Sequence, residues 1–247
     1  MGFWAALQFL TILPSPVKRD FTAEEVGQSL ACFPLVGLLL GLILWGADYV
    51  LSRVLPPLPV DVLLLGMLVV LTGAIHIDGF IDTCDGAVAR RTVQQRLDIM
   101  ADSRVGAFGV IGGCLLLLLK FAALVSLPGA YRGAGLVLMP LVGRWSIVYS
   151  VFAYPYARRE GGTGHAFKQG ASITRALIAL AMALAVATVV SRNWHGAALV
   201  GAVWIGVIGF CAYVRSRLGG LTGDSYGAVN EVAEVATLVI LPIIWRA

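Results

Sequence analysis

Five of the chain's fourteen acidic residues stand between positions 78 and 102, where an even spread would put one or two. They are Asp78, Asp82, Asp85, Asp98 and Asp102. On a helix that turns about 100° per residue, Asp78, Asp82 and Asp85 fall within about 60° of one another. Asp98 and Asp102, spaced i and i+4, would share a face of a second helix. Like charges at that spacing cost a helix a few tenths of a kcal/mol per pair, so two carboxylate faces need a reason. Hard divalent cations supply one, because magnesium takes oxygen ligands in octahedral geometry and shares them with substrate phosphates. The plainer reading is a solvated helix pair whose acids are balanced by Arg90, Arg91, Arg96 and Arg104. The link between the two faces reads as a hairpin. Gly86 loosens the first helix, and Thr92-x-x-Gln95 is a capping-box start for the second, which is expected to run through Asp98 and Asp102 into a membrane span beginning near Val105.

The elements that must position these acids are set by composition. Of 247 residues, 59% are hydrophobic and 13% charged, with mean hydropathy +0.87. Soluble domains carry roughly 45–50% apolar and about 25% charged residues. So few charges cannot cover a soluble fold of this size, and the chain must face lipid. That excludes a secreted domain, a disordered regulator and a conventional nucleic-acid binder. The predicted fold is an all-α polytopic membrane helical bundle forming one domain over residues 1–247, with about seven spans at roughly 30–51, 60–77, 105–127, 133–153, 174–190, 196–214 and 228–246. Two apolar runs, Val62–Ile75 and Val235–Trp245, are short and must continue as helix into polar sequence to cross. Met1–Leu13 is too short to span and ends at Pro14 and Pro16, which predicts an interfacial or re-entrant helix. The four cysteines are far apart with no C-x-x-C pair, so neither a zinc site nor a disulfide framework is expected.

Basic residues orient the spans. Segments 14–29, 78–104, 154–175 and 215–227 hold twelve of them: Lys18, Arg19, Arg90, Arg91, Arg96, Arg104, Arg158, Arg159, Lys168, Arg175, Arg215 and Arg217. The alternate segments hold four: Arg53, Arg132, Arg192 and Arg246. The first set is therefore expected to be cytoplasmic, which also accounts for a pI near 9.0 without a nucleic-acid partner. Lys120 falls late in its span and could snorkel outward. Arg144 falls mid-span, where a charge is costly and usually functional.

Other candidates gather near the same face. His76 could act as a base or orient a carboxylate, or simply sit satisfied at a span end. Cys84 lies between two candidate ligands but is soft, which suggests packing. The stretch Gly219–Asp224 could let backbone amides approach a phosphate, or be a plain turn. Asn230, Glu231 and Glu234 share one side of the last helix and are expected to face the site rather than lipid. The stretch from Tyr156 to Lys168, with Arg158 and Arg159, reads either as a phosphate-binding lid or as ordinary positive-inside sequence.

The run His76-Ile-Asp78-Gly-Phe-Ile-Asp82-Thr-Cys-Asp85-Gly86, followed by Asp98-Ile-Met-Ala-Asp102-Ser-Arg104, resembles the adenosylcobinamide-GDP ribazoletransferase family, also called the cobalamin-5′-phosphate synthases. Further matches are Phe9–Pro14, Phe33–Gly37, Tyr156-Ala-Arg158-x-x-Gly161 and Gly219–Asp224, so the likeness covers nearly the whole chain. Asp82-x-x-Asp85-Gly86-x-x-Ala89-Arg90 is also similar to the first half of the CDP-alcohol phosphotransferase signature. The second half is shortened here, since Asp98 follows Arg90 by eight positions with no glycine between them.

The resemblance implies a bacterial inner-membrane enzyme with its site on the cytoplasmic face. Its donor would be adenosylcobinamide-GDP and its acceptor α-ribazole or the 5′-phosphate; it would release GMP and form adenosylcobalamin or its 5′-phosphate. It further implies Mg²⁺ on Asp82, Asp85, Asp98 and Asp102, with Asp78 binding directly or through one of them. Asp102 would take the proton of the attacking hydroxyl, and Arg104 or Arg90 would clamp a phosphate oxygen. Arg158, Asp224, Asn230, Glu231, Glu234 and His76 would contact substrate. The competing expectations are a phospholipid-making CDP-alcohol phosphotransferase and a secondary transporter. The shortened spacing and Asp78 argue against the first, and acids clustered at one face without a repeat argue against the second. A structural membrane anchor would leave the carboxylate faces unexplained. Oligomeric state is not legible.

Overall fold

The computed structural model describes residues 1–158 and 163–246. Twelve helices follow one another along these residues. A short α1 (Gly2–Leu10) precedes α2 (Ala23–Gln28), which passes through a 3-10 turn into α3 (Phe33–Leu51). Next come α4 (Pro57–Leu71), α5 (Ile75–Val88), α6 (Val93–Ile99), α7 (Ala107–Val125) and α8 (Gly129–Ala153). The chain ends with α9 (Thr163–Gly170), α10 (Ile173–Ser191), α11 (His195–Leu218) and α12 (Gly223–Trp245). No strand forms among the described residues; Tyr156 and Leu221 make a single isolated β-bridge.

Six of these helical stretches are long and apolar enough to cross a membrane, with a seventh if α4 and α5 are taken as one broken span. The all-α polytopic expectation is therefore met, and α1 is the predicted short amino-terminal helix, burying Ala5, Ala6, Leu7 and Leu10. The core lies along α8 and α12. Every residue of α8 from Gly135 to Val148 is buried, between α3 on one side and α12 on the other. Side chains such as Leu115, Leu118 and Ile205 point outward from α7 and α11, forming the apolar exterior that lipid would cover.

The predicted span 60–77 is not one helix. α4 and α5 meet at 88°. Thr72 turns its hydroxyl onto the Leu68 and Val69 carbonyls, and Gly73 and Ala74 take left-handed conformations at φ +57° and +59°. The Ile12 N–H donates to the Leu71 carbonyl at 2.8 Å, so the segment after α1 satisfies an α4 end that would otherwise be orphaned. This break swings α5 across the bundle beneath α7 and α12.

Two further corrections concern the acidic hairpin. α5 is not loosened at Gly86 but continues to Val88; the missing side chain at Gly86 instead leaves room for the Met100 side chain, which a Cβ there would overlap. The capping box at Thr92 and Gln95 forms as expected. The helix it starts stops at Ile99, however, and α7 does not begin until Ala107. Asp98 and Asp102 therefore do not share a continuous helical face. The turn between them is fixed locally, because the Asp102 carboxylate accepts the Arg104 backbone N–H at 3.0 Å.

Lys120 does not snorkel outward. It is 4% exposed and turns into the bundle, where its ammonium meets Glu231 and Glu234 of α12 at 2.6 Å each. Lipid offers no partner for an ammonium at that depth, whereas two carboxylates on the neighbouring helix do. At the other end of the bundle, Arg132 joins α8 to α3 and α4 through Asp48 and Asp61.

Candidate active site

α5 presents Asp78, Asp82 and Asp85 within one helical arc, as the spacing predicts. Its crossing with α12 is very close: a Cβ on Gly79 would lie 2.5 Å from the Asp224 carbonyl oxygen. That contact sets Asp224, in the first turn of α12, beside α5. Thr222, the N-cap of α12, donates its hydroxyl to the Asp224 carboxylate at 3.3 Å, and Arg158 reaches the same oxygen at 3.1 Å. Arg158 is placed by backbone pairing, with Ala157 N–H donating to Leu221 and Leu221 N–H to Pro155. Asp82 accordingly lies in the field of three negative neighbours, Asp78, Asp224 and Asp85, and one positive neighbour, Arg158.

Asp85 is committed elsewhere. Its two oxygens accept the backbone N–H groups of Gly106 and Gly109 at 2.8 Å each, so a carboxylate from α5 caps the amino terminus of α7. The positive end of the helix dipole compensates its charge. Asp98 lies exposed on α6 and accepts from Gln94 at 2.9 Å. Asp102 is ion-paired to Arg104 at 2.6 Å, and this guanidinium holds its carboxyl down at about 2. The five aspartates are thus not gathered into one cage. Among the described residues no three His, Cys, Asp or Glu side chains stand close enough to hold a metal ion.

A smaller acidic group remains on α5 and α12, in which Asp224 already accepts from Thr222 and Arg158. Asp78, Asp82 and Asp224 supply hard oxygens, with only Arg158 nearby to offset their charge. Magnesium usually takes one or two protein carboxylates and completes its octahedron with water and substrate phosphate, so a full protein cage is not required.

The other sequence candidates fall into distinct places. Glu231 and Glu234 face inward, as expected, but onto Lys120, while Arg144 of α8 pairs with Glu234. Asn230 donates to Glu234 at 3.0 Å. His76 is buried near Arg144 and Lys120. Arg90 and Arg104 are exposed. Lys168 donates to the Val151, Phe152 and Tyr154 carbonyls, closing the end of α8, so this part of the expected basic lid is helix and cap. Arg159 and Gly161 lie outside the described residues.

Two arginines have roles that charge counting did not reveal. Arg96 donates to Ala89, and Arg217 to Ala87 and Ala89, so both satisfy the carbonyl end of α5. Basic residues at a helix carboxyl end are a recognisable signal, but Arg217 lies 130 positions from its partner Ala87.

Beside Asp78 and Asp224 opens a cavity of about 260 Å³. Phe9, Phe33 and Phe167 form one wall, with Phe9 and Phe167 edge to face at 4.6 Å between centroids. His76 and Tyr226 also line it.

The fold and this site define a polytopic α-helical membrane protein whose acidic face adjoins a cavity walled on one side by three phenylalanines. Residues 2–242 match the family described as cobalamin-5-phosphate synthase. Curated relatives named adenosylcobinamide-GDP ribazoletransferase include that of Desulforamulus reducens, 39% identical over 96% of this chain and 94% of its own. The relative from Geotalea daltonii is 40% identical over 97% and 96%, and that from Desulfitobacterium hafniense 40% over 96% and 94%. No solved structure matches. The chain belongs to the cobalamin-5-phosphate synthase family.

Proposed function

We propose that this chain performs the nucleotide-loop assembly step of cobalamin synthesis. A hydroxyl of α-ribazole, or of its 5′-phosphate, attacks the cobinamide-side phosphorus of adenosylcobinamide-GDP. The new phosphorus–oxygen bond forms as the bond to the GMP oxygen breaks, the hydroxyl proton passes to a carboxylate, and GMP leaves. Family membership supports the reaction class, and the observation that carries the assignment of the site is the surface of Asp78, Asp82 and Asp224 with Arg158 beside it.

Phosphoryl transfer asks a protein chiefly for positioning and charge neutralisation. Asp82 and Asp78 would hold Mg²⁺, with Asp224 completing the acidic face, and the bound metal would neutralise the pyrophosphate. Arg158 stands where it can exchange Asp224 for a phosphate oxygen. Arg104 pairs with Asp102 until a phosphate displaces it, which would free Asp102 to accept the proton. The twelve-to-four split of basic residues supports a cytoplasmic site in the bacterial inner membrane.

The test is product release. Purified protein with adenosylcobinamide-GDP, α-ribazole and Mg²⁺ is expected to form GMP, and to form none when the metal is chelated. CMP released from a CDP-lipid donor, or no turnover in complete mixtures, would overturn the reading.

A further inference from the structure

Two guanidinium groups converge on the carbonyl end of α5. Arg96 Nε donates to the Ala89 carbonyl at 2.9 Å, and Arg217 Nη2 reaches the same oxygen at 3.4 Å. Arg96 Nη1 also donates to the Arg217 carbonyl at 2.6 Å, and Arg217 Nε to the Ala87 carbonyl at 2.8 Å. Arg90 and Arg91 follow Ala89 directly and are exposed. Among the described residues, no Asp or Glu forms an ion pair with any of these four arginines. Asp98, the acid two positions from Arg96, accepts from Gln94 instead. A helix carboxyl end carries only about half an elementary negative charge. The four guanidiniums around it therefore leave a positive excess even after Asp98 is counted, and Arg96 and Arg217 hold their share half-buried. Capping alone needs no such excess.

The donors left over define what this excess holds. Nη2 of Arg96 and Nη1 of Arg217 have no hydrogen-bond partner among the described residues, and both residues keep part of their surface open. Guanidinium forks match the oxygens of a phosphate. The surface beside them is apolar, with Val88 and Val93 exposed. On α11, which is long and apolar enough to cross a membrane, Tyr213, Gly209 and Gly206 lie within about 80° of Arg217 at about 100° per residue. Tyr213 is exposed, and at Gly206 and Gly209 no neighbouring element stands within 4 Å of where a Cβ would lie. An open furrow thus runs along the lipid-facing side of α11 and ends at the arginines. We infer that this corner binds one anionic phospholipid, its phosphate on Arg96 and Arg217 and an acyl chain along the furrow. Arg90 and Arg91 add to the field that draws the headgroup in. A free phosphate gains nothing from a furrow that faces lipid, and a zwitterionic headgroup brings an ammonium that the four arginines repel.

Dioctanoyl phosphatidylglycerol serves as the probe, titrated into the full chain in a non-ionic detergent and read by native mass spectrometry and by melting temperature. Dioctanoyl phosphatidylcholine and inorganic phosphate form the other two arms. Phosphatidylglycerol is expected to stay bound and raise the melting temperature, with the other two binding about tenfold more weakly. Arg217→Gln is expected to weaken phosphatidylglycerol about tenfold, the loss of one charge-assisted contact. Arg91→Gln is expected to weaken it about threefold. The Arg91 side chain has no partner among the described residues, so this variant decides the matter even if Arg217→Gln misfolds. Arg215→Gln, about 160° around α11 from Arg217, is expected to leave binding within twofold. Phosphatidylcholine bound as tightly as phosphatidylglycerol, or inorganic phosphate as effective as the lipid, would overturn the assignment. So would binding indifferent to Arg91→Gln, or weakened as much by Arg215→Gln as by Arg217→Gln, which would reveal attraction to the basic face at large. The measurement needs no turnover, so its outcome is separate from that of the proposed reaction.

Discussion

The ammonium of Lys120 and the carboxylate of Glu234 meet at 2.6 Å inside the bundle, 114 positions apart in the chain and both buried. With Glu231 and Arg144 they form a group of two cations and two anions that joins α7, α8 and α12. Removing one member leaves an uncompensated charge in an apolar interior, which costs about 3–5 kcal/mol, whereas removing a matched pair is far less costly. Lys120→Met is therefore expected to lower the melting temperature in detergent strongly. The double variant Lys120→Met with Glu231→Gln, which keeps Glu234 on Arg144, is expected to recover most of that loss. If the double variant melts no higher than the single one, the group does not act through charge balance.

Asp82 and Asp85 lie one turn apart on α5 and are expected to behave differently. Asp85→Asn places an amide hydrogen against an N–H of Gly106 or Gly109 and removes the charge that caps α7. Loss of an N-terminal cap costs about 0.5–2 kcal/mol, so this variant should melt lower as well as turn over slowly. Asp82→Asn relieves repulsion from Asp78, Asp85 and Asp224, so the metal-free protein should melt no lower than the parent. Its GMP release should fall more than tenfold. Paired melting curves and rates on the two variants check this, and a stable, active Asp85→Asn would remove the capping role.

How much of this was legible in the sequence depends on the distance between partners. The capping box at Thr92 and Gln95 and the arc of Asp78, Asp82 and Asp85 are local patterns, and they form as read; Glu231 and Glu234 turn away from lipid as read, but onto Lys120 rather than the acidic site. The right-angle break between α4 and α5 was not readable. It needs a non-glycine residue, Ala74, in a left-handed conformation, and the Ile12 N–H brought to Leu71 from far earlier in the chain. The same holds for Lys120, whose inward turn follows from carboxylates more than a hundred positions away. Asp224 was singled out within a glycine-rich turn, but its place beside α5 depends on the close crossing at Gly79.

The orientation of the site has a direct check. Gln94 is exposed on α6 and donates to the exposed Asp98, so a cysteine there is tolerated and reachable. In a version with Cys32, Cys84, Cys114 and Cys211 replaced, an impermeant thiol reagent is expected to label this position in inverted vesicles and not in intact cells. Labelling from outside intact cells would reverse the topology and move the acidic face to the wrong side for a cytoplasmic nucleotide donor.

Asp102, proposed above as the proton acceptor, is compared with Asp98, which lies exposed on α6. Arg104 holds the Asp102 carboxyl at about 2, below the ordinary carboxylate value. A group lowered in this way favours the ordered turn above the unfolded carboxyl value of about 3.9. It loses that contribution as pH falls toward about 2. A carboxylate so strongly paired is a weak base, and it becomes a useful one only when Arg104 moves to a substrate phosphate. Arg104→Gln is therefore expected to raise the Asp102 carboxyl toward its ordinary value, read by carbon NMR of labelled aspartate between pH 2 and 5, and to raise KM for the donor through loss of the phosphate contact. Asp102→Asn is expected to lower kcat with little change in donor KM, because its contribution is made in the transition state. Excess Mg²⁺ should restore Asp98→Asn more than Asp102→Asn if Asp98 serves the metal and Asp102 the proton. Equal rescue of the two by magnesium would make Asp102 a ligand, and indifference of kcat to both would leave the reacting groups on α5 and α12 alone.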